Sequence, residues 1–392
     1  MDLVFVCEGH FIKDATGRYY CVNTGFTNQL WKRYLAVFNC IRVLARVKID
    51  LNYQGEEALR ADNPCVTFAD LPDYVGPLQY VKVRGKIKKI FQKEIVIGKA
   101  YLCRLPGEMG GMAISVLKQR NIPYACEVVG DPWDVFAPGG VQHPLRPFFR
   151  YKGRYSLKKQ VASASNVLYV TKQSLQKRYP CSKDVFCTNA SNVLLFQEKI
   201  VKNAKFLEAK NKYQLISVGS LEQMYKSPDV VIKALSQLKS QGINCYLSWL
   251  GDGKYKKEMM DLAESLNVAD RVCFYGNVSA EEVVTRLNGA DIFLLVSKTE
   301  GLPRAMIEAM AQGLPCIGSD AGGIPELLDA SVIVPKGDAE ALAGKIAYMI
   351  THLSFTNQQA ERNLREAANY ENGLLDLKRN RFYKEIVQQV NK

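Results

Sequence analysis

The sequence predicts an α/β protein of two doubly wound parallel-sheet domains facing each other across a cleft. Three observations predict it. Residues 213–334 alternate short apolar runs with longer amphipathic segments, and most runs end at Gly or polar turn residues, the rhythm of parallel strands joined by helical crossovers. The first half repeats the pattern less cleanly, with apolar runs at Leu3–Cys7, Cys40–Val47, Lys99–Arg104 and Pro123–Glu127. The 392 residues suffice for two domains, and the polar, mixed stretch Thr188–Lys212, which lacks a firm strand, separates the halves. The expected division is residues 1–195, residues 196–372, and a closing helix in 373–392. That helix, over Leu374–Val390, carries Leu377, Phe382 and Ile386 at near-helical spacing and is expected to return to the first domain.

In the second half, strands are expected at Gln214–Val218, Asn244–Leu250, Arg271–Tyr275, Asp291–Val296, Pro315–Gly318 and Ser331–Val334. Helices are expected at Asp229–Lys239, Lys256–Asn267 and Ala280–Leu287, from Arg304, and at Ile324–Leu328. Continuous apolar runs such as Ile292-Phe293-Leu294-Leu295-Val296 suit strands buried on both faces.

Composition is that of a globular enzyme, with 47% apolar and 23% charged residues. The start, Met1–Gly9, reads as a strand rather than a leader, and no run approaches the ~18 apolar residues of a membrane span. Eleven cysteines without metal spacing suit reduced thiols. A cytoplasmic protein is expected. The net charge of +13 lies wholly in the first half: residues 1–190 hold 28 Lys and Arg against 15 Asp and Glu, and the remainder hold 24 of each. A basic half on a neutral half implies an anionic surface or partner. Lys82–Lys93 and Arg146–Tyr155 mix cations with apolar or aromatic residues, as peripheral contact with an anionic membrane leaflet would require. No nucleic-acid motif accompanies the charge, so no nucleic-acid partner is expected.

The stretch Thr299-Glu300-Gly301-Leu302-Pro303-Arg304-Ala305-Met306-Ile307-Glu308 follows one of these buried strands. Gly301 and Pro303 read as loop-to-helix, with Pro303 at the first helical position, so Glu300 precedes the helix and Glu308 lies just over one turn inside it. Helix-start N–H groups suit a phosphate. Flanking carboxylates suit hydroxyls, from which they accept charge-assisted hydrogen bonds. A diphosphate between two polyols is a nucleotide-sugar. Ligands of open parallel sheets bind at the carboxyl ends of strands, where Gly219-Ser220…Lys226, Gly251-Asp252-Gly253, Asn277-Val278 and Asp320-Ala321-Gly322-Gly323 also fall.

Taken in order, Gly219…Lys226, Gly251-Asp252-Gly253, Phe274-Tyr275-Gly276, Glu300-Gly301-Leu302-Pro303…Glu308-Ala309-Met310-Ala311 and Gly322-Gly323-Ile324-Pro325-Glu326 resemble the retaining glycosyltransferases of family 4, which have the GT-B fold. The resemblance is strong over 213–330 and weak in the first half. It implies a metal-independent enzyme without a cofactor that moves a sugar from a nucleotide-sugar, UDP- or GDP-linked, to a glycan or lipid-linked glycan. The expected setting is bacterial surface polysaccharide assembly at the cytoplasmic membrane face. It further implies that Glu308 holds the ribose, Glu300 meets the donor sugar, Gly301 and Leu302 line sugar and phosphate, and Lys226 neutralises the leaving diphosphate. Gly219 and Ser220 would approach the phosphates and Asn277 and Val278 the base. The family often has Arg where this chain has Ser220, and Arg304 is one candidate substitute. The resemblance also implies that the second domain binds the nucleotide-sugar and the first, residues 1–195, the acceptor; from the first domain Asp131 or Glu127 would point into the cleft, Asp131 being the candidate catalytic group, and the helix start at Gly25 would approach the diphosphate. The turn before Pro132 gives Asp131 an equally ordinary capping role. His10, His143 and His352 have no metal spacing, and no Asp-x-Asp pair is present. Two rival readings are an acceptor-free nucleotide-sugar epimerase and a non-catalytic sugar-binding protein of the same fold.

Overall fold

The computed structural model describes residues 1–22, 25–137 and 143–391. Strands β1 (Leu3–Lys13), β2 (Tyr19–Cys21), β3 (Ile41–Ile49), β4 (Val66–Pro72), β5 (Ala100–Leu105), β6 (Ala125–Val128), β7 (Asn166–Tyr169) and β8 (Phe186–Asn189) form the first sheet. Its order is β4-β3-β1-β5-β6-β7-β8, all parallel, with the short β2 antiparallel to the far end of β1. Strands β9 (Tyr213–Val218), β10 (Cys245–Leu250), β11 (Val272–Gly276), β12 (Ile292–Leu295), β13 (Cys316–Ser319) and β14 (Ile333–Val334) form the second, fully parallel sheet, ordered β11-β10-β9-β12-β13-β14. Helices cover both sheets, so central strands such as β6, β7, β12 and β13 are buried along their whole length. Two doubly wound sheets make this the GT-B fold.

Every strand and helix expected between 213 and 334 is present, with no end shifted by more than two residues. Pro303 is the residue before the helix Arg304–Ala311 rather than its first position. The first half departs more. β1 runs on to Lys13 through an irregularity between Val6 and His10. β4, β7 and β8 were not anticipated, although β7 carries the apolar run Val167-Leu168-Tyr169-Val170 and β4 a partly alternating pattern. β8 reaches into the stretch expected to have no strand; its Phe-Cys-Thr-Asn sequence is only half-buried, and it is held at the sheet edge by ladder bonds to β7 alone. A half-buried edge strand of mixed residues carries little pattern of its own, because β-propensity depends on context.

Residues 191–212 cross to the second domain and lie along it, with Val201 N–H donating to Ala311 O at 3.0 Å and Lys205 N–H to Gly313 O at 2.9 Å. The last helix, Asn372–Val390, packs back on the first sheet. It buries Leu375, Phe382, Tyr383 and Ile386, whereas Leu377 is 69% exposed. The apolar stripe is therefore offset from the one the sequence suggested. The Tyr383 ring lies 5.1 Å from that of Tyr34, and both hydroxyls donate to Glu127, at 3.3 and 3.0 Å. Arg104 completes the pairing at 3.2 Å. Glu127 is thus buried inside the first domain and does not reach the cleft, because its side chain leaves β6 toward this cluster.

Burial also pushes the Cys7 and Cys103 thiols up to about 12, so neither is a nucleophile near neutrality. Among the described residues no helix is long and apolar enough to cross a membrane, and no cluster of His, Cys, Asp or Glu is suited to a metal ion.

Phe382→Ala opens a cavity under the returning helix and is expected to destabilise by about 3–5 kcal/mol. Tyr383→Phe removes one hydrogen bond to a buried carboxylate and is expected to cost about 1–3 kcal/mol. Urea unfolding followed by first-domain fluorescence checks both, and equal losses would contradict this packing.

Candidate active site

The second sheet reverses its strand order at β9. From β9 the chain moves outward to β10 and β11, then returns to place β12 on the other side. The loops after β9 and β12 therefore diverge around a crevice. The first carries Lys226, at the end of a 3₁₀ turn Met224–Lys226, and the second carries Glu300. Their side chains meet: Lys226 Nζ lies 2.5 Å from Glu300 Oε1, and Ser297 Oγ donates to the same oxygen at 2.8 Å. Both partners are about nine-tenths buried, at 12% and 10% exposure, so the pair is weakly screened. The sequence placed the two residues in one site, but not in one ion pair.

The Glu300 loop is held from below by the Gly322-Gly323 turn. Gly323 N–H donates to Gly301 O at 2.7 Å. Gly322 has φ +51°, and a Cβ there would stand 1.8 Å from Glu300 O, so no side chain fits. Glu326, in the next turn, reaches across to the first domain. Its carboxylate accepts from the N–H groups of Lys172 at 2.6 Å, Gln173 at 3.1 Å, and Ser174. Lys172 in turn pairs with Glu366. The domains meet closely here, and a Cβ on Gly301 would stand 2.9 Å from Val129 O of the first domain.

Pockets flank Glu300 where the domains face each other. Gly130, Asp131, Gln223, Tyr225, Thr299 and Gly301 line one. Arg178, Asp320, Gly322 and Lys336 line another with Asp131. Asp131 thus stands opposite Glu300, but its carboxylate is engaged. It accepts from Trp133 N–H at 2.8 Å, capping the helix Pro132–Val135, and from Tyr179 Oη, and it pairs with Arg178. Burial raises its carboxyl against the pull of those partners. The capping role is real, and the residue also borders the cleft.

Glu308 lies on the helix Arg304–Ala311 and opens on a separate pocket of about 180 Å³ with Leu194, Lys199, Val283, Leu287 and Gln312. The loop with Asn277 and Val278 leads directly into the helix Ala280–Gly289 that forms this wall. Burial raises the Glu308 carboxyl, offset only in part by Arg304 and Lys199. Lys199 was not anticipated, since it belongs to the crossing segment, where nothing in the sequence marks it. Arg304 is exposed at the helix start. Ser220 is exposed at a turn, accepting from Glu222 N–H at 3.1 Å and donating to Asp252 O at 3.3 Å. Gly219 lies under the Lys226 stem, where a Cβ would meet Cγ at 2.9 Å. Leu302 is buried beneath the loop. Gly25 is exposed just before the helix Asn28–Leu35. His10 pairs with Asp73 at 2.8 Å and His352 stacks on Tyr348, so both have local partners.

The family model described as glycosyl transferases group 1 matches residues 198–369. Over 391 residues, covering 99% of this chain and 97% of that one, the sequence is 29% identical to protein CapJ of Staphylococcus aureus. Over 143 residues, 34% of this chain and 35% of the relative, it is 38% identical to the putative colanic acid biosynthesis glycosyltransferase WcaL of Salmonella typhimurium. Among solved structures, a sucrose-phosphate synthase from Thermosynechococcus elongatus superposes with a TM-score of 0.70 at 15% identity, covering 99% of this chain and all of that one. HepE from Anabaena in complex with UDP-glucose superposes at 0.62 and 15%, covering 100% and 99%.

Because the folded carboxyl of Glu308 titrates above its unfolded value, the unfolded chain gives up that proton at lower pH. The ligand-free protein therefore loses stability as pH rises through the folded value. Glu308→Gln is expected to raise the ligand-free melting temperature at pH 7.5 relative to wild type, with the gap closing below the ordinary glutamate value of 4.5. Calorimetric scans across that range test the sign.

Proposed function

From its place among the group 1 glycosyltransferases, we propose that this chain moves a sugar from a nucleotide-sugar to a glycan or lipid-linked glycan acceptor, with retention at the anomeric carbon and without a metal ion. Its role is in bacterial surface polysaccharide synthesis. The observation that carries the site reading is the buried Lys226–Glu300 pair at the strand reversal, with Glu308 and its pocket on the helix that follows the Glu300 loop.

In this reading the ribose hydroxyls donate to Glu308, the base lies toward Asn277 and Val278, and the diphosphate draws Lys226 away from Glu300. The freed Glu300 carboxylate accepts from the donor sugar. The bond from the anomeric carbon to the diphosphate breaks, the acceptor oxygen bonds to that carbon on the same face, and the departing phosphate oxygen takes the acceptor proton. Lys226 stabilises the charge that develops on the diphosphate in a site where water does not screen it. Asp131 acts as a positioning residue that holds Arg178 and the Pro132–Val135 turn against the sugar pocket. HepE with UDP-glucose and WcaL supply the analogies for donor and pathway. The basic first domain would rest on an anionic leaflet through the helices Gly76–Glu94 and Arg146–Ala162, which expose Leu78, Val81, Phe148, Tyr151 and Tyr155 among their cations.

Glu308→Ala removes an ionic acceptor for the ribose and is expected to weaken nucleoside diphosphate affinity about 10- to 100-fold. Glu300→Ala is expected to leave that affinity nearly unchanged and to slow transfer. Calorimetry with UDP and GDP beside a transfer assay separates the two, and full transfer in both variants would remove the assignment. Proton NMR of the product is expected to show the donor's anomeric configuration, with the rate unchanged by EDTA; an inverted product or a chelator-sensitive rate would refute the mechanism.

A further inference from the structure

Six of the eleven cysteines are buried, but Cys181 and Cys187 meet at the edge of the first sheet, the first half-buried and the second exposed. Cys187 lies on β8 in register with Val167 of β7, and Asn189 with Tyr169. Side chains alternate along a strand, so Cys187 and Tyr169 share one face. Tyr169 Oη donates to Tyr179 O at 2.7 Å and touches the Cys181 side chain. That bond folds residues 179–181 over the face. A turn closed by Val185 N–H to Ser182 O at 3.3 Å returns the chain to β8. The two sulfurs end side by side, within hydrogen-bonding reach.

We propose that Cys181 and Cys187 are a thiol pair that closes reversibly to a disulfide and, on closing, withdraws Tyr179 and Arg178 from Asp131. Formation of the bond is independent of the glycosyltransferase reading. Its effect on transfer rests on that reading.

The upstream end of the loop is what holds Asp131. Tyr179 Oη donates to the Asp131 carboxylate, and Arg178 pairs with Asp131 and, at 3.1 Å, with Asp134. One residue, Pro180, separates Tyr179 from Cys181. Its ring fixes a backbone torsion, so a pull at Cys181 passes to Tyr179 with little slack. A disulfide brings its sulfurs to about 2 Å, closer than a hydrogen-bonded pair, so closing it tightens residues 181–187. β8 is fixed by its ladder to β7 and by the Arg381 guanidinium, 5.0 Å from the Phe186 ring. The loop therefore moves rather than the strand. Asp131 and Arg178 line one pocket beside Glu300, and Asp131 borders the other, so both lose a fixed wall.

The oxidant is a low-molecular-weight disulfide such as glutathione disulfide. Partial burial of the sulfur, and after it the charge of Cys181, push the Cys187 thiol up to about 12, so the first attack comes from Cys181. Its thiolate bonds to one glutathione sulfur and expels the other glutathione as a thiolate. The Cys187 sulfur then attacks the Cys181 sulfur of this mixed disulfide, and the second glutathione leaves with the Cys187 proton. The pair gives up two electrons and glutathione disulfide is reduced to two thiols.

The test exposes the full chain to glutathione disulfide, blocks remaining thiols and digests with trypsin. Cleavage after Arg178, Lys183 and Lys199 makes the disulfide join Tyr179–Lys183 to Asp184–Lys199. That linked peptide is expected in oxidised wild type, to vanish with dithiothreitol, and to be missing from Cys181→Ser and Cys187→Ser. Joint Cys40→Ser and Cys65→Ser, which removes another pair of neighbouring thiols, is expected to leave it in place. Oxidation is expected to slow transfer to lipid-linked saccharides extracted from the cells that make the protein by about fivefold or more. Dithiothreitol restores the rate, Cys187→Ser stays within twofold, and UDP or GDP affinity is unchanged within twofold. Trp133, whose N–H also donates to Asp131, gives a measure that needs no acceptor. Its fluorescence is expected to shift on oxidation of wild type and not of Cys187→Ser or Trp133→Phe. Peptides that stay separate, or that each carry glutathione, overturn the pair. A linked peptide with unchanged transfer or unchanged fluorescence, or equal losses in Cys187→Ser, overturns the withdrawal from Asp131. A reduced wild-type chain that binds no nucleotide and incorporates no sugar from any donor overturns the glycosyltransferase reading instead, while the linked peptide and the fluorescence still decide the thiol pair.

Discussion

Glu326 places one carboxylate under three successive backbone N–H groups of the other domain, at Lys172, Gln173 and Ser174. That contact sets the geometry of the cleft. The turn that presents Glu326 is continuous with Gly322-Gly323, which is fitted against the backbone of Glu300 and Gly301. The position of the Glu300 loop is therefore tied to the edge of the first domain through a few rigid residues. Three charge-assisted hydrogen bonds on one carboxylate are strong enough to hold a domain contact. They remain few enough that a hinge motion would break them together.

Parallel sheets explain why the polar chemistry collects where it does. All strands of the second sheet, and all but β2 of the first, run the same way, so each sheet delivers its loops to one edge, and the order reversals at β9 and β1 part those loops. Two crevices result, divided by the Pro132–Val135 turn. One holds a buried cation–carboxylate pair, the other is bordered by Glu8, Glu108, Lys152 and Gln160. Most of the excess positive charge of the first half lies away from these walls, Arg178 and Lys152 being lining cations. It lies on the helices Gly76–Glu94 and Arg146–Ala162, whose exposed faces also carry apolar and aromatic side chains.

The returning helix Asn372–Val390 gives the first sheet its last cover, and it explains the fate of Glu127. A carboxylate at the end of a central strand is expected in the cleft. Tyr34, Tyr383 and Arg104 instead draw it inward, and the cluster needs the final 20 residues of the chain to be complete. Asp131, four residues on, lies beyond the strand end, so it can cap the turn and still face the second domain.

The elements of the second domain were legible in the residues nearly end to end. Its strands are buried on both faces and so are written as continuous apolar runs, and its loop-to-helix junctions are marked by Gly, Pro and the eight-residue spacing of Glu300 and Glu308. Both signals are local. The sequence was equally able to bring Lys226 and Glu300 to one edge, because strand order follows from the α/β rhythm. What depends on which element packs on which emerged from the folded chain: the Lys226–Glu300 pair, the Glu326 contact, Lys199 beside Glu308, the burial of Leu375 in place of Leu377, and the edge strand β8. Each of these joins residues distant in the chain or rests on backbone pairing. The direction of a side chain at such a position is set by its partner's surface, and no periodicity along the chain records it.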